Sequence, residues 1–135
     1  MHGVQLTADL HGCAADRPAM TDPATLRAAC VAAVVAAGLT PVGELFHRFD
    51  SAPSAGTPQA NGITGVVLLA ESHVAVHTWP ELGAVTLDVY VCNVGRDNSA
   101  RAQALLATLI DLFEPATVER HALQRGAPAA AAATR

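Results

Sequence analysis

The stretch from Ile63 to Cys92 decides the fold and reads ITGVVLLAESHVAVHTWPELGAVTLDVYVC. It contains three runs rich in valine and leucine: Ile63 to Ala70, Val74 to Trp79, and Val85 to Cys92. Each run is too short for a typical helix, and turn-forming residues separate it from the next. The stretch therefore predicts three consecutive β-strands that form a meander.

Further elements are predicted on the N-terminal side of the meander. Three apolar residues alternate with polar ones, as in a half-buried strand: Val4, Leu6 and Ala8. The pair Asp22-Pro23 supplies an N-cap followed by a proline at the first helical position. It predicts a helix over residues 23–37, ending before Gly38. Residues 40–49 are predicted to form a second strand.

The C-terminal side is predicted to form a second helix and a last strand. Asp97-Asn98-Ser99 can cap the helix, and Pro115 ends it before a strand at Thr117 to Leu123. One helix face is apolar: Leu105, Leu106, Leu109, Ile110 and Phe113. The element order predicts an α+β two-layer sandwich, with two helices on one face of a mainly antiparallel sheet. The other face also needs cover, for which a second protomer is one candidate.

The chain has the length and the apolar content of one domain, with 135 residues of which 51% are hydrophobic. We assign that domain to residues 1–124, with a Ser/Pro/Ala/Gly loop at 50–61 and a disordered alanine-rich tail at 125–135. No signal-peptide pattern and no apolar run of about 18 residues is present, so we expect a soluble, cytoplasmic protein.

Charge and cysteine content exclude several classes of function. The net charge is -4 and the eight cations, all arginine, are scattered along the chain, which argues against a nucleic-acid or membrane partner. There is no lysine, so pyridoxal phosphate cannot be held as a lysine Schiff base. Three widely spaced cysteines are too few for a disulfide framework and indicate reduced thiols.

An unusual density of polar side chains lies in or beside the predicted strands: Glu71, Ser72, His73, His77 and Glu81. If residues 80–83 form a four-residue hairpin turn, Trp79 pairs with Ala84. Counting back along both strands then places Cys92 opposite Glu71, beside Ser72.

A tight turn at Ala70-Glu71 would likewise place Thr64 across from His77. We therefore expect this hydroxyl and imidazole to converge with Ser72 and the Cys92 thiol at one end of the sheet. His73 and His77 would lie about 13 Å apart along a strand, so no zinc or other metal site is predicted.

Three segments together resemble the processing and active-site signature of the prokaryotic S-adenosylmethionine decarboxylase family: Glu71-Ser72-His73, His77-Thr78-Trp79-Pro80-Glu81, and Cys92. The resemblance extends over residues 2–126 and includes Gly12-Cys13 and Phe46-His47-Arg48-Phe49. It implies that the Ser72 hydroxyl attacks the Glu71 carbonyl and that the chain is cut into residues 1–71 and 72–135. Ser72 then becomes a pyruvoyl group, which is the cofactor.

The resemblance also implies roles for further residues. His77 is the processing base, Thr64 assists the acyl shift, and Cys92 returns a proton to the substrate carbon. Phe49 stacks on adenine, and Glu81 accepts hydrogen bonds from the ribose hydroxyls. The pyruvoyl carbonyl forms a Schiff base with the substrate amine and takes up the electrons released with CO2, which fits a chain without lysine.

The activity implied is conversion of S-adenosylmethionine to its decarboxylated form for spermidine biosynthesis, by a homodimer of cleaved protomers. Two alternatives remain: a pyruvoyl-dependent arginine or ornithine decarboxylase, and an uncut paralogue with a regulatory or partner role. The sequence departs from the family pattern at Gln5, where histidine is frequent, and at Thr64, where serine is frequent. Its 50–62 loop is also longer than in short family members.

Overall fold

The computed structural model describes residues 2–50 and 61–126. It contains six strands and three α-helices within these residues, together with a single turn of 3-10 helix at Pro80–Leu82. The elements are β1 (Gly3–His11), α1 (Pro18–Thr21), α2 (Pro23–Ala36), β2 (Pro41–Arg48), β3 (Ile63–Leu69), β4 (Ser72–Trp79), β5 (Ala84–Cys92), α3 (Ser99–Phe113) and β6 (Thr117–Arg125).

The six strands form one antiparallel sheet in the order β2-β3-β4-β5-β1-β6. Helix α2 packs against β2 and β3, and α3 packs against β1 and β5. The predicted α+β sandwich, with helices on one face of an antiparallel sheet, is therefore confirmed.

Alternation along the strands divides the sheet into two faces. Every second residue of β4 and β5 is buried against the helices, as the period of 2 requires. The core is apolar and includes Leu6, Leu10, Leu26, Val34, Val76, Leu87, Leu105, Leu109 and Phe113. We call the other side the open face. Its side chains include Gln5, Thr64, His73, His77, Asp88 and Tyr90.

The predicted strands and both longer helices are present, and α2 ends one residue earlier than predicted. Helix α1 was not predicted, because a single turn has no periodicity and only Pro18 at its first position marks it. β6 includes Arg125, the residue at which the predicted tail begins. Residues 51–60 and 127–135, which hold most of the predicted loop and tail, lie outside the described residues.

Candidate active site

Both hairpin registers agree with the sequence prediction. Trp79 pairs with Ala84 across the 80–83 turn, and Thr64 pairs with His77 across the Ala70-Glu71 turn. The second pairing brings the side chains into contact, with Thr64 Oγ1 at 3.2 Å from His77 Nδ1.

The turn before Ser72 contains an unusual backbone conformation. It has two residues, Ala70 and Glu71, and joins Leu69 to Ser72. Glu71 has a φ of 56°, in the left-handed region that costs a residue with a side chain roughly 1–2 kcal/mol. The peptide bond between Glu71 and Ser72 therefore adjoins a strained residue.

Ser72 is held by the end of the neighbouring strand. The Cys92 backbone N–H donates a hydrogen bond to Ser72 Oγ over 3.1 Å. Cys92 is only 9% exposed, and with Glu71, Tyr90 and Val94 it lines a cavity of about 420 Å³. We call this the cleavage-end cavity. It combines the predicted scissile bond with the predicted proton donor.

A second cavity of about 220 Å³ lies at the opposite end of β4. We call it the aromatic cavity, and its side chains include Phe49, Thr64, His77, Trp79 and Glu81. The His77 and Trp79 rings stack with their centroids 5.7 Å apart. Four of the predicted site residues therefore share one cavity: Phe49, Thr64, His77 and Glu81.

Two features of the aromatic cavity bear on ligand binding. Glu81 Oε1 is shielded from solvent and has no hydrogen-bond partner among the described residues, so it can accept a bond from a ligand. Gly62 forms part of the wall, and a Cβ there would lie only 2.3 Å from the Thr78 carbonyl oxygen. The cavity thus depends on close backbone contact between the ends of β3 and β4.

The Thr78 side chain links the ends of β3 and β4 to helix α1. Its buried hydroxyl accepts a hydrogen bond from the Ile63 N–H (2.9 Å) and donates one to the Met20 carbonyl (2.8 Å). The neighbouring His77 consequently points to the open face, because successive side chains of a strand point to opposite faces.

The expectation that the four predicted catalytic groups converge at one end of the sheet is wrong. His77 and Ser72 lie on the same strand, five residues apart, which corresponds to about 16 Å. The aromatic cavity and the cleavage-end cavity are therefore at opposite ends of β4. The predicted register correctly identified which residues face each other across neighbouring strands. It does not change the spacing of residues along one strand, which keeps Ser72 and His77 apart.

A polar network on the open face was not predicted. Gln5 Nε2 donates to both carboxylate oxygens of Asp88 (3.0 and 2.9 Å), and Arg125 Nη1 donates to Gln5 Oε1 (2.6 Å). The Arg125 guanidinium lies 5.9 Å from the centre of the Tyr90 ring. Gln5 thus bridges the Asp88 carboxylate and the Arg125 guanidinium beside the cleavage-end cavity.

The other two cysteines are suited to packing. Cys13 and Cys30 are buried, and burial raises the pKa of the Cys30 thiol to about 12. Burial also raises the pKa of Cys13, partly offset by the positive charge of Arg17. Because a thiolate is the reactive form, Cys30 is inert at neutral pH.

No helix among the described residues is long and apolar enough to cross a membrane. Within residues 2–50 and 61–126, no group of three or more histidine, cysteine, aspartate or glutamate side chains is arranged to hold a metal ion.

The chain belongs to the S-adenosylmethionine decarboxylase family, which its residues 4–126 match. It is 34% identical over 124 residues to the S-adenosylmethionine decarboxylase proenzyme of Aquifex aeolicus, covering 92% of this chain and 81% of that protein. It is 36% identical over 137 residues to the S-adenosylmethionine decarboxylase proenzyme of Parasynechococcus marenigrum, covering 99% and 93%.

A solved structure agrees with these relatives. The crystal structure of the adenosylmethionine decarboxylase from Aquifex aeolicus superimposes with a TM-score of 0.73 at 31% sequence identity. The match covers 90% of this chain and 88% of that chain.

Proposed function

We propose that this protein is a proenzyme that cuts itself between Glu71 and Ser72 and then decarboxylates S-adenosylmethionine. The observation that carries the proposal is the environment of Ser72. Ser72 directly follows the strained residue Glu71, and its hydroxyl accepts a hydrogen bond from the Cys92 N–H over 3.1 Å. A nucleophile held directly after a strained peptide unit is suited to attack that peptide's carbonyl.

In the proposed cleavage, Ser72 Oγ attacks the Glu71 carbonyl carbon and the peptide becomes an ester. The Cys92 N–H stabilises the charge that develops on Oγ as its proton leaves. His77 then takes the α-proton of Ser72, and Thr64, 3.2 Å from His77 Nδ1, orients that ring. The ester then breaks by elimination, which releases the Glu71 carboxylate as the end of one chain and leaves dehydroalanine at position 72. Water hydrolyses the imine tautomer of this residue, ammonia leaves, and the pyruvoyl carbonyl remains.

The pyruvoyl group formed from Ser72 supplies a carbonyl that condenses with the substrate amine and takes up the electrons released with CO2. The chain's own residues bind and protonate the substrate. Phe49 offers a half-exposed ring for the adenine, and Glu81 offers the unpartnered carboxylate oxygen to the ribose hydroxyls. Cys92, in the cleavage-end cavity, donates the proton that replaces the carboxylate.

We further propose that two copies pack their open faces together to form a homodimer. Three exposed leucines lie on this face: Leu45 (71% exposed), Leu68 (50%) and Leu123 (57%). Leu45 and Leu68 lie near one edge of the sheet and Leu123 lies at the other edge, and exposed apolar side chains spread across an uncovered sheet face favour burial by a partner.

The dimer also accounts for the separation of the two cavities. A two-fold axis in the plane of the interface and across the strands reverses the strand direction of the second copy. The aromatic cavity of one protomer then lies against the cleavage-end cavity of the other. In this arrangement, His77 and Thr64 act on Ser72 of the partner protomer, and each active site uses both chains.

The product proposed is the aminopropyl donor for polyamine synthesis, including spermidine, and the proposed location is the cytoplasm. All three cysteines are free thiols, as expected in a reducing compartment.

Intact-mass measurement under denaturing conditions tests the cleavage. We expect two fragments, residues 1–71 and 72–135, with the second blocked by pyruvate at its start. A single full-length mass after prolonged incubation would contradict the proposal.

Replacing Glu81 by glutamine tests the choice of substrate. Glu81→Gln keeps the side-chain size but removes the charge that strengthens the bonds to the ribose hydroxyls, and hydrogen bonds to charged groups contribute about 1.5–3 kcal/mol. We therefore expect KM for S-adenosylmethionine to rise at least about tenfold, with cleavage unchanged. Asp16→Asn, at an exposed turn, is the matched control and should leave KM unaltered. CO2 release from arginine or ornithine, but not from S-adenosylmethionine, would refute the nucleoside assignment.

A further inference from the structure

The loop after β5 is organised by two asparagines. The Asn93 N–H donates to the His2 carbonyl (2.9 Å), and Asn93 Oδ1 accepts the Asn98 N–H (2.8 Å). Asn93 Nδ2 donates to Ser99 Oγ (3.0 Å). The loop therefore has a defined shape where it leaves Cys92.

Asn98 occupies the N-cap of α3, but its side chain does not cap the helix. The free helix N–H of Ser99 is instead bound by Asp97 Oδ1 over 2.9 Å. Asn98 Nδ2 donates to the Cys92 carbonyl over 3.0 Å. Asparagine at an N-cap usually accepts a hydrogen bond from a helix N–H, whereas the Asn98 side chain donates one to the end of β5.

The Cys92 carbonyl needs such a donor. The N–H and C=O of one strand residue point to the same side, and the Cys92 N–H points to Ser72. Strand β4 begins at Ser72, after the Ala70-Glu71 turn. No residue of β4 therefore lies beside the Cys92 carbonyl to donate a backbone hydrogen bond to it. Asn98 supplies the missing donor, and Arg101 Nη1, 3.5 Å from Asn98 Oδ1, supports this orientation of the amide.

We propose that Asn98 is a positioning residue for self-cleavage. It holds the Cys92 main chain so that the N–H remains directed at Ser72 Oγ. This inference rests on the proposed function. In the step concerned, the bond from Ser72 Oγ to the Glu71 carbonyl carbon forms and the peptide C–N bond breaks. The hydroxyl proton ends on the freed nitrogen, so the step is an isomerisation that needs no co-reactant.

The test compares Asn98→Asp and Asn98→Ala with Asp97→Ala, in full-length chains made by cell-free translation. Cleavage of the new chain is followed over time by denaturing mass spectrometry, and thermal unfolding is measured on the same samples. Asp at position 98 keeps the size, the cap position and the contact to Arg101, but it cannot donate to the Cys92 carbonyl.

We expect Asn98→Ala to be cut about five- to tenfold more slowly, the effect of losing one hydrogen bond. Asn98→Asp should be cut at least as slowly, since its carboxylate would face the Cys92 carbonyl, and its Tm should fall no further than that of Asp97→Ala. Asp97→Ala should lower the Tm through the lost cap, yet be cut at the wild-type rate well below that Tm.

Wild-type cleavage rates in both Asn98 variants would overturn this inference alone. Equal slowing in Asp97→Ala would also overturn it, because the effect would then follow helix stability. An uncut wild-type chain would overturn the proposed function as a whole.

Discussion

Ser72→Ala is expected to remain a single uncut chain with no decarboxylase activity. The variant lacks the hydroxyl that we propose attacks the Glu71 carbonyl, so neither the ester nor the pyruvoyl group can form. Denaturing mass spectrometry should show one full-length mass after an incubation that cuts the wild type completely. Turnover of S-adenosylmethionine should fall to background.

Loss of folding cannot account for this result if the variant unfolds near the wild-type temperature. Ser72 Oγ makes a hydrogen bond with the Cys92 N–H, and losing it costs about 1 kcal/mol, or a few degrees of Tm. Thr108→Ala, which removes a hydroxyl from the exposed side of α3, is the control and should be cut normally. Cleavage of Ser72→Ala at Glu71 would show that another nucleophile acts.

The strand register was predictable because short turns fix it. A four-residue turn after Trp79 and a two-residue turn at Ala70-Glu71 leave one antiparallel pairing each, and both are present. Pairing across a turn is local in sequence. The positions of Thr64 opposite His77, and of Cys92 beside Ser72, followed from it.

Contacts that depend on strand order were not predictable in the same way. β1 lies between β5 and β6, although these strands are far apart in sequence. The bonds from Gln5 to Asp88 and from Arg125 to Gln5 exist only in that order. No turn specifies this strand order, since the order arises from packing of the helices on one face of the sheet.

Because the two cavities lie at opposite ends of β4, the residues of the sequence signature do not all line one cavity. Residues that are close in sequence, Ser72 and His77, are about 16 Å apart in an extended strand. In the dimer that we propose, this short motif contributes residues to two different active sites, one at each end of β4. This arrangement can be tested by combining inactive chains.

Co-expressed Ser72→Ala and His77→Ala chains are expected to regain activity that neither has alone. In a mixed dimer, Ser72 and Cys92 of the His77→Ala chain meet the intact His77 of the Ser72→Ala chain. One of the two sites is then complete. Random pairing makes about half of the dimers mixed, so about a quarter of the wild-type sites should form.

Mass spectrometry should identify the His77→Ala chain as the one that is cut, although its own imidazole is missing. Ser72→Ala combined with Cys92→Ala is the control, because Ser72 and Cys92 come from the same chain and no site has both. Its turnover should therefore stay low. If the first pair also failed to recover while size measurements showed mixed dimers, His77 would have to act within its own chain. β4 would then have to rearrange before cleavage, since an extended strand keeps His77 out of reach of Ser72.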